Sequence, residues 1–181
     1  PIITRIFSPD EFAMLGLYIA ASSFLSVIIT GRYDWALLIP SKKSESLSLY
    51  YAALYYSLLI TIILISTIYL FINQMSIIFP YANIGLIYLM PIGGFALSFI
   101  SLGTRWNART DNFTLISKTR VFQYSLIPIG QVVLYEMEIY PAYALIVPHL
   151  ILSILAAYIL MPKGKVFSKN RISNLNQSFL L

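Results

Sequence analysis

The chain alternates long uncharged, mostly apolar stretches with short segments that are charged or, between the second and third stretches, polar without charge. Uncharged runs cover residues 12–31, 47–72, 84–103, 121–135 and 142–161. Because a helix that crosses a bilayer needs about 20 mostly apolar residues, each run is a candidate crossing. The pattern predicts an all-α, polytopic transmembrane helix bundle with about five spans, at residues 12–31, 47–72, 84–103, 114–135 and 142–161.

The fourth span is the weakest of the five. Its uncharged part, residues 121–135, is shorter than a crossing needs, so the span must borrow length from residues 114–120. The charged segment 104–120 has only loosely helical spacing of its apolar residues. We expect it to form an interfacial helix that leads into the fourth span.

Local signals support the helix assignments. Ser8 and Pro9, followed by two acids, are typical of a helix start, with a capping hydroxyl and negative charge at the positive end of the helix dipole. In the middle of the third span, Pro91, Gly93 and Gly94 predict a kinked helix. Such a helix either packs closely against a neighbour or lines a cavity, and the sequence leaves both interpretations open.

Composition agrees with a membrane location. Hydrophobic residues make up 59% of the chain and charged residues 10%, against about 25% charged in soluble domains. Cysteine is absent, which excludes disulfides, thiol nucleophiles and thiolate metal sites. The net charge of +5 does not indicate nucleic-acid binding, because the charges lie between the hydrophobic runs.

Charge predicts the orientation of the spans. When the loops are assigned alternately to the two sides, eleven of the twelve lysines and arginines fall on one side and only Arg5 on the other. This bias places the basic loops in the cytoplasm, with residues 162–181 as a basic cytoplasmic tail or inter-lobe linker. The opposite loops are acidic, with Asp10, Glu11, Glu136 and Glu138.

Candidate chemistry is sparse. His149 is the only histidine, so neither a two-histidine metal site nor a serine-histidine-aspartate arrangement is built by spacing. We therefore expect no metal, no catalytic residue and no enzyme activity. His149 lies inside the fifth span, where it is either a proton relay or a side chain that hydrogen-bonds a neighbouring helix.

Polar residues near the predicted cytoplasmic face are candidates for contact with an anionic substrate. Arg32 either reaches the membrane interface or faces an inward cavity, where Asp34 would orient its guanidinium toward a phosphate. Arg105 and Arg109 are either topological determinants or part of a basic vestibule. Eight residues apart on one predicted helix face, Gln123 and Gln131 are candidates to line a polar cavity.

Three stretches carry a family resemblance. They are Pro1-Ile2-Ile3-Thr4-Arg5-Ile6-Phe7-Ser8-Pro9-Asp10-Glu11-Phe12, then Arg32-Tyr33-Asp34-Trp35-Ala36-Leu37-Leu38-Ile39-Pro40, and Arg105-Trp106-Asn107-Ala108-Arg109 through Lys118-Thr119-Arg120-Val121-Phe122-Gln123. In order and spacing they resemble the Wzx-type lipid-linked oligosaccharide flippases of the multidrug/oligosaccharidyl-lipid/polysaccharide exporter superfamily. Asp34 stands where that family usually has glutamate.

The resemblance implies a function. The five spans would be the second to sixth helices of a two-lobed transporter with twelve to fourteen, and the chain most of its N-terminal lobe. The substrate would be an undecaprenyl-pyrophosphate-linked oligosaccharide, moved across the bacterial inner membrane for surface polysaccharide such as O-antigen of lipopolysaccharide. No cofactor is implied beyond H⁺ or Na⁺ coupling, and the polysaccharide polymerase machinery is an expected partner.

Two other classes of function remain open. A membrane-embedded enzyme of polysaccharide assembly, such as a polymerase or acyltransferase, would need several catalytic side chains together in one loop. A membrane scaffold without transport activity would need none. The full reading frame around the chain would separate these possibilities from a transporter lobe.

Overall fold

The computed structural model of the chain describes residues 3–72, 74 and 84–162, and these residues form helices without a strand. In chain order the helices are α1 (Ile3–Ile6), α2 (Pro9–Thr30), α3 (Tyr33–Ala36), α4 (Lys43–Leu70), α5 (Ile84–Arg109), α6 (Phe113–Glu136) and α7 (Pro141–Ile159). The prediction of an all-α bundle is confirmed. Apart from Pro162, the predicted tail lies outside the described residues.

The first long helix, α2, starts at the signals that the sequence predicts. The Ser8 hydroxyl accepts a hydrogen bond from the backbone N–H of Glu11 at 3.4 Å, and the Glu11 carboxylate accepts one from the backbone N–H of Ser8 at 2.6 Å. This capping box satisfies two backbone donors that the helix start leaves free. At the other end, Gly31 adopts a left-handed conformation (φ 54°), and its N–H bonds to the carbonyls of Val27 and Ile28.

Helices α2, α4, α5 and α7 are long and apolar enough to cross a membrane. They correspond to the first, second, third and fifth predicted spans, so the chain is a membrane protein. Helix α6 matches the predicted fourth span in extent, with 24 residues. Its uncharged part, residues 121–135, is only about 22 Å long at 1.5 Å per residue, so crossing by α6 stays a prediction.

The expected interfacial helix over residues 104–120 is wrong. Helix α5 continues past the predicted end of the third span to Arg109, and α6 begins at Phe113. Between them the chain turns through Asp111, whose φ of 55° is left-handed. The segment is therefore the meeting point of two long helices, with Arg105 and Arg109 on the last turns of α5 and Arg120 on α6.

The bundle is built around α5, which packs against α2, α4 and α7, while α6 packs mainly on α7. Contacts show that α2, α5 and α7 run in one direction and that α4 and α6 run in the other. The basic residues that the sequence assigns to one side therefore lie together at one end of the bundle, which we call the basic end. Those among the described residues are Arg32, Lys42, Lys43, Arg105, Arg109, Lys118 and Arg120. Their segregation is a property of the fold as well as of the sequence.

Small and hydroxyl-bearing residues bring α2 and α5 close together. The Ser22 hydroxyl donates to the Met90 carbonyl at 3.1 Å, and the Ser98 hydroxyl donates to the Ser26 carbonyl at 3.0 Å. Gly93 and Gly94 are buried at this contact. Of the two interpretations of the proline-glycine segment, the structure shows close packing against a neighbouring helix, which small residues permit in membrane bundles.

Candidate functional site

The candidate site begins at the basic end, directly after α2. Gly31 and Arg32 both adopt left-handed conformations, which turn the chain sharply into the short helix α3. The turn places the Asp34 side chain against α5, where only 6% of the residue stays exposed. There Asp34 Oδ2 accepts a hydrogen bond from the Ser101 hydroxyl at 2.8 Å and lies 3.8 Å from Arg105 Nε.

Arg105 joins this carboxylate to an aromatic ring. Its guanidinium carbon lies 3.7 Å from the centroid of the Trp35 ring, while its Nε faces Asp34. Stacking on an indole and pairing with a carboxylate are two interactions that the planar guanidinium makes well. Arg105 thereby links α5 to α3, which lies about seventy residues earlier in the sequence.

Arg109, one helical turn further along α5, holds the same connecting segment by its backbone. Its Nη1 donates to the Leu37 carbonyl at 3.0 Å, and its Nη2 donates to the Pro40 carbonyl. These carbonyls lie between α3 and α4, and the Leu37 carbonyl also accepts a hydrogen bond from the Ser46 hydroxyl of α4 at 3.2 Å. Arg105 and Arg109 therefore fix the path of the chain from α2 to α4.

Arg32 differs from the other two candidate arginines. It is exposed, and within the described ranges its side chain has neither an ion pair nor a hydrogen bond. Asp34 contacts Arg105 and Ser101 rather than Arg32, so the carboxylate does not orient the guanidinium for which the sequence suggested it. Arg32 is left as a cation available to solvent or to a bound anion.

The two candidate glutamines share one face of α6, as their spacing predicts, and this face packs on α7. Gln123 Nε2 donates to the Ser153 hydroxyl at 3.0 Å, and Gln131 Nε2 donates to the Leu145 carbonyl at 2.9 Å. Both glutamines are buried. The structure thus places them between two helices and not beside Asp34 or Arg105.

Replacement of Gln123 by leucine is expected to change the free energy of unfolding by less than about 1 kcal/mol. The substitution removes one hydrogen bond, but it also removes Oε1, which is buried without a partner among the described residues. Denaturation in mixed micelles measures the change, with Ser125→Leu at an exposed position of α6 as the control. A loss above about 3 kcal/mol would mean that Gln123 has a further essential contact.

His149 packs edge-on against Tyr18 of α2, with ring centroids 5.8 Å apart. Its Nδ1 is buried and finds no hydrogen-bond partner in the part of the chain that the structure describes. The expected bond to a neighbouring helix is therefore not seen there, and an aromatic contact takes its place. The proton-relay role stays a prediction.

A cavity of about 660 Å³, which we call the basic-end cavity, opens beside this network. It is lined by Lys43, Ser44 and Leu47 of α4, Trp106 and Asn107 of α5, Thr110, Asn112 and Leu115 around the start of α6, and Met161 and Pro162 after α7. Asn107 ties two of these walls together, because its Nδ2 donates to the carbonyls of Gly103 at 2.8 Å and Leu160 at 2.7 Å.

The sequence did not single out the polar residues of this cavity. Each lies at a helix end, where a lysine, serine or asparagine is ordinarily a solvated residue. The one feature of the sequence that could have pointed to this cavity is the pair Trp106-Asn107, which lies inside one of the stretches that resemble the flippase family.

No group of histidine, cysteine, aspartate or glutamate suited to a metal ion occurs among the described residues. No protein-family model, curated protein or solved structure matches the chain.

Proposed function

We propose that the chain is most of the N-terminal lobe of a flippase that moves undecaprenyl-pyrophosphate-linked oligosaccharides across the bacterial inner membrane. The basic end would face the cytoplasm, where the substrate is assembled. The role would be transport without covalent chemistry, coupled to an H⁺ or Na⁺ gradient, and would precede polymerisation of the sugar repeats.

One observation carries the proposal: two of the stretches that resemble the flippase family meet in space. Asp34 and Trp35 of one stretch both contact Arg105 of the other. Arg109 of the second stretch bonds to the carbonyls of Leu37 and Pro40 of the first. Residues that form one contact network support the view that the two stretches are parts of one functional unit.

The chemistry of the basic end also suits the proposed substrate. A diphosphate that leaves water needs cations or hydrogen-bond donors to replace its hydration. Arg32 is exposed, and Arg105 engages Asp34 through Nε, which leaves its terminal nitrogens without a partner among the described residues. These groups supply donors at the point where a cytoplasmic head group would arrive.

Disruption of the reading frame that holds this chain tests the proposal in the source bacterium. We expect surface polysaccharide to be lost and lipid-linked repeat units to accumulate in the inner leaflet. An oxidant that cannot cross the membrane, applied to spheroplasts, should leave the sugars of these units intact. The intact gene should restore both the polymer and the exposure of the sugars.

Other outcomes of the same experiment favour the competing functions. Accumulation of repeat units that the oxidant can reach would indicate a polymerase or another enzyme acting after transport. Normal polymer would indicate a scaffold. In the complementing gene, Arg32→Ala should reduce exposure of the sugars severalfold, whereas Lys42→Ala, which removes an exposed lysine paired with Glu45, should not.

A further inference from the structure

The basic-end cavity has the size and position of a ligand site. Its volume of about 660 Å³ falls within the range of about 300–1,000 Å³ that small-molecule sites occupy. Its walls are the basic ends of four long helices, α4, α5, α6 and α7. A ligand in this place would lie at the boundary between the apolar spans and water.

The lining favours an anion that also accepts and donates hydrogen bonds. Lys43 is the one charged residue among the described lining residues, and no acid accompanies it. Within the described ranges the Lys43 ammonium and the Ser44 hydroxyl have no partner, since the nearby ion pair joins Lys42 to Glu45. The Asn112 Nδ2 donates to Asn107 Oδ1 at 3.4 Å, which leaves the Asn112 Oδ1 free to accept.

The apolar side of the lining indicates where the ligand comes from. Leu47, Leu115 and Met161 lie among the polar groups, and they offer nothing to a small hydrophilic ion. They do suit the first carbons of acyl chains that continue from a head group into the bilayer. A lipid therefore matches the whole cavity, whereas free phosphate matches only its polar part.

The cavity does not continue through the bundle beside α4 and α5. Tyr50, Leu102 and Trp106 pack with two further buried residues immediately beyond it. The Tyr50 ring lies 6.2 Å from the Trp106 ring, centroid to centroid, and Tyr50 is fully buried. A ligand in the cavity is held at one face of the membrane rather than passed across it.

We propose that the basic-end cavity binds the phosphate head group of a resident anionic glycerophospholipid. Lys43 pairs with the phosphate, Ser44 and Asn112 bond to its oxygens and to the glycerol hydroxyls, and the apolar residues contact the start of the acyl chains. This site goes beyond the proposed transport function, because the lipid is a bound component of the lobe and not its cargo.

Native mass spectrometry of the full chain, delipidated in detergent, tests the site. We expect short-chain phosphatidylglycerol to bind with one-to-one stoichiometry and more tightly than phosphatidylcholine. Lys43→Gln should weaken this binding about fivefold, the effect of one basic residue at a membrane surface. Ser44→Trp should abolish it, because the indole fills the cavity from an exposed helix position.

Two control variants test whether lipid binding depends on the residues that line the cavity. Lys42→Gln removes the neighbouring exposed lysine, which does not line the cavity, and Ser48→Trp adds an indole one turn further along α4. Both should bind phosphatidylglycerol as the unchanged chain does. Equal losses in Lys42→Gln and Lys43→Gln would overturn the proposal in favour of general charge attraction.

Three other results would also overturn it: no lipid bound to the unchanged chain, full binding by Ser44→Trp, or inorganic phosphate and glycerol phosphate binding as tightly as the lipid. The last result would identify a soluble phosphate ligand instead. None of these results depends on transport of sugar repeats, so failure of the lipid site and failure of the flippase proposal are separate findings.

Discussion

Replacement of Gly93 by alanine is expected to lower the free energy of unfolding by about 1–3 kcal/mol, the usual cost of overpacking a well-packed core. A Cβ at this position would lie 2.4 Å from the Tyr18 hydroxyl oxygen and 2.5 Å from the Ser22 Oγ. Tyr18 has little room to retreat, because it is 1% exposed and its ring packs against His149. Helices α2 and α5 must therefore separate.

Gly16 provides the matched control for this substitution. It lies on α2, and a Cβ there meets nothing within 4 Å. Gly16→Ala should leave stability unchanged or raise it slightly, since alanine loses less backbone freedom than glycine in a helix. Denaturation in mixed micelles, followed by circular dichroism, compares the variants. Equal stabilities of Gly93→Ala and Gly16→Ala would refute the close contact between α2 and α5.

The helices were predictable from the sequence because the physical signal is strong and local. Uncharged runs of about twenty residues have few alternatives to a crossing helix. Capping residues such as Ser8 and Pro9 act on the turn next to them, so the start of α2 could be read directly. Bounds moved by a few residues where charged side chains such as Lys43 belong to the helix.

The extension of α5 to Arg109 could not be predicted from such local sequence signals. A charge at residue 105 is normally a sign that a membrane helix has ended. In the fold, Arg105 is stabilised by Asp34 and Trp35, which lie about seventy residues earlier in the chain. These partners are tertiary contacts, so no local sequence pattern reveals them, and the sequence alone predicts an interfacial helix over residues 104–120.

The candidate site likewise combines features that the local sequence predicts with features that depend on tertiary contacts. The sequence correctly placed Gln123 and Gln131 on one face, because a helix repeats every 3.6 residues. It did not reveal that this face packs on α7. It left open a pairing of Asp34 with its near neighbour Arg32, whereas the left-handed turn at Gly31 and Arg32 directs the carboxylate to α5.

Replacement of Asp34 by asparagine is expected to cost about 2 kcal/mol of unfolding free energy, below the roughly 3–5 kcal/mol lost when a fully buried ion pair is broken. The variant keeps the size of the side chain but leaves the Arg105 guanidinium without its counter-charge. The full loss is not expected, because the Arg105 side chain is 31% exposed and the two charged atoms are 3.8 Å apart. Glu45→Gln, which breaks the exposed pair with Lys42, should cost less than about 0.5 kcal/mol.

A double-mutant cycle with Arg105→Gln isolates the contact between the two side chains. Arg105→Gln alone also removes the stacking on Trp35, so its own loss is larger than that of the ion pair. In the double variant the two losses should fall short of additivity by about 1–2 kcal/mol. Additive losses would show that Asp34 and Arg105 act independently, and the network that joins the segment after α2 to the end of α5 would then lose its central contact.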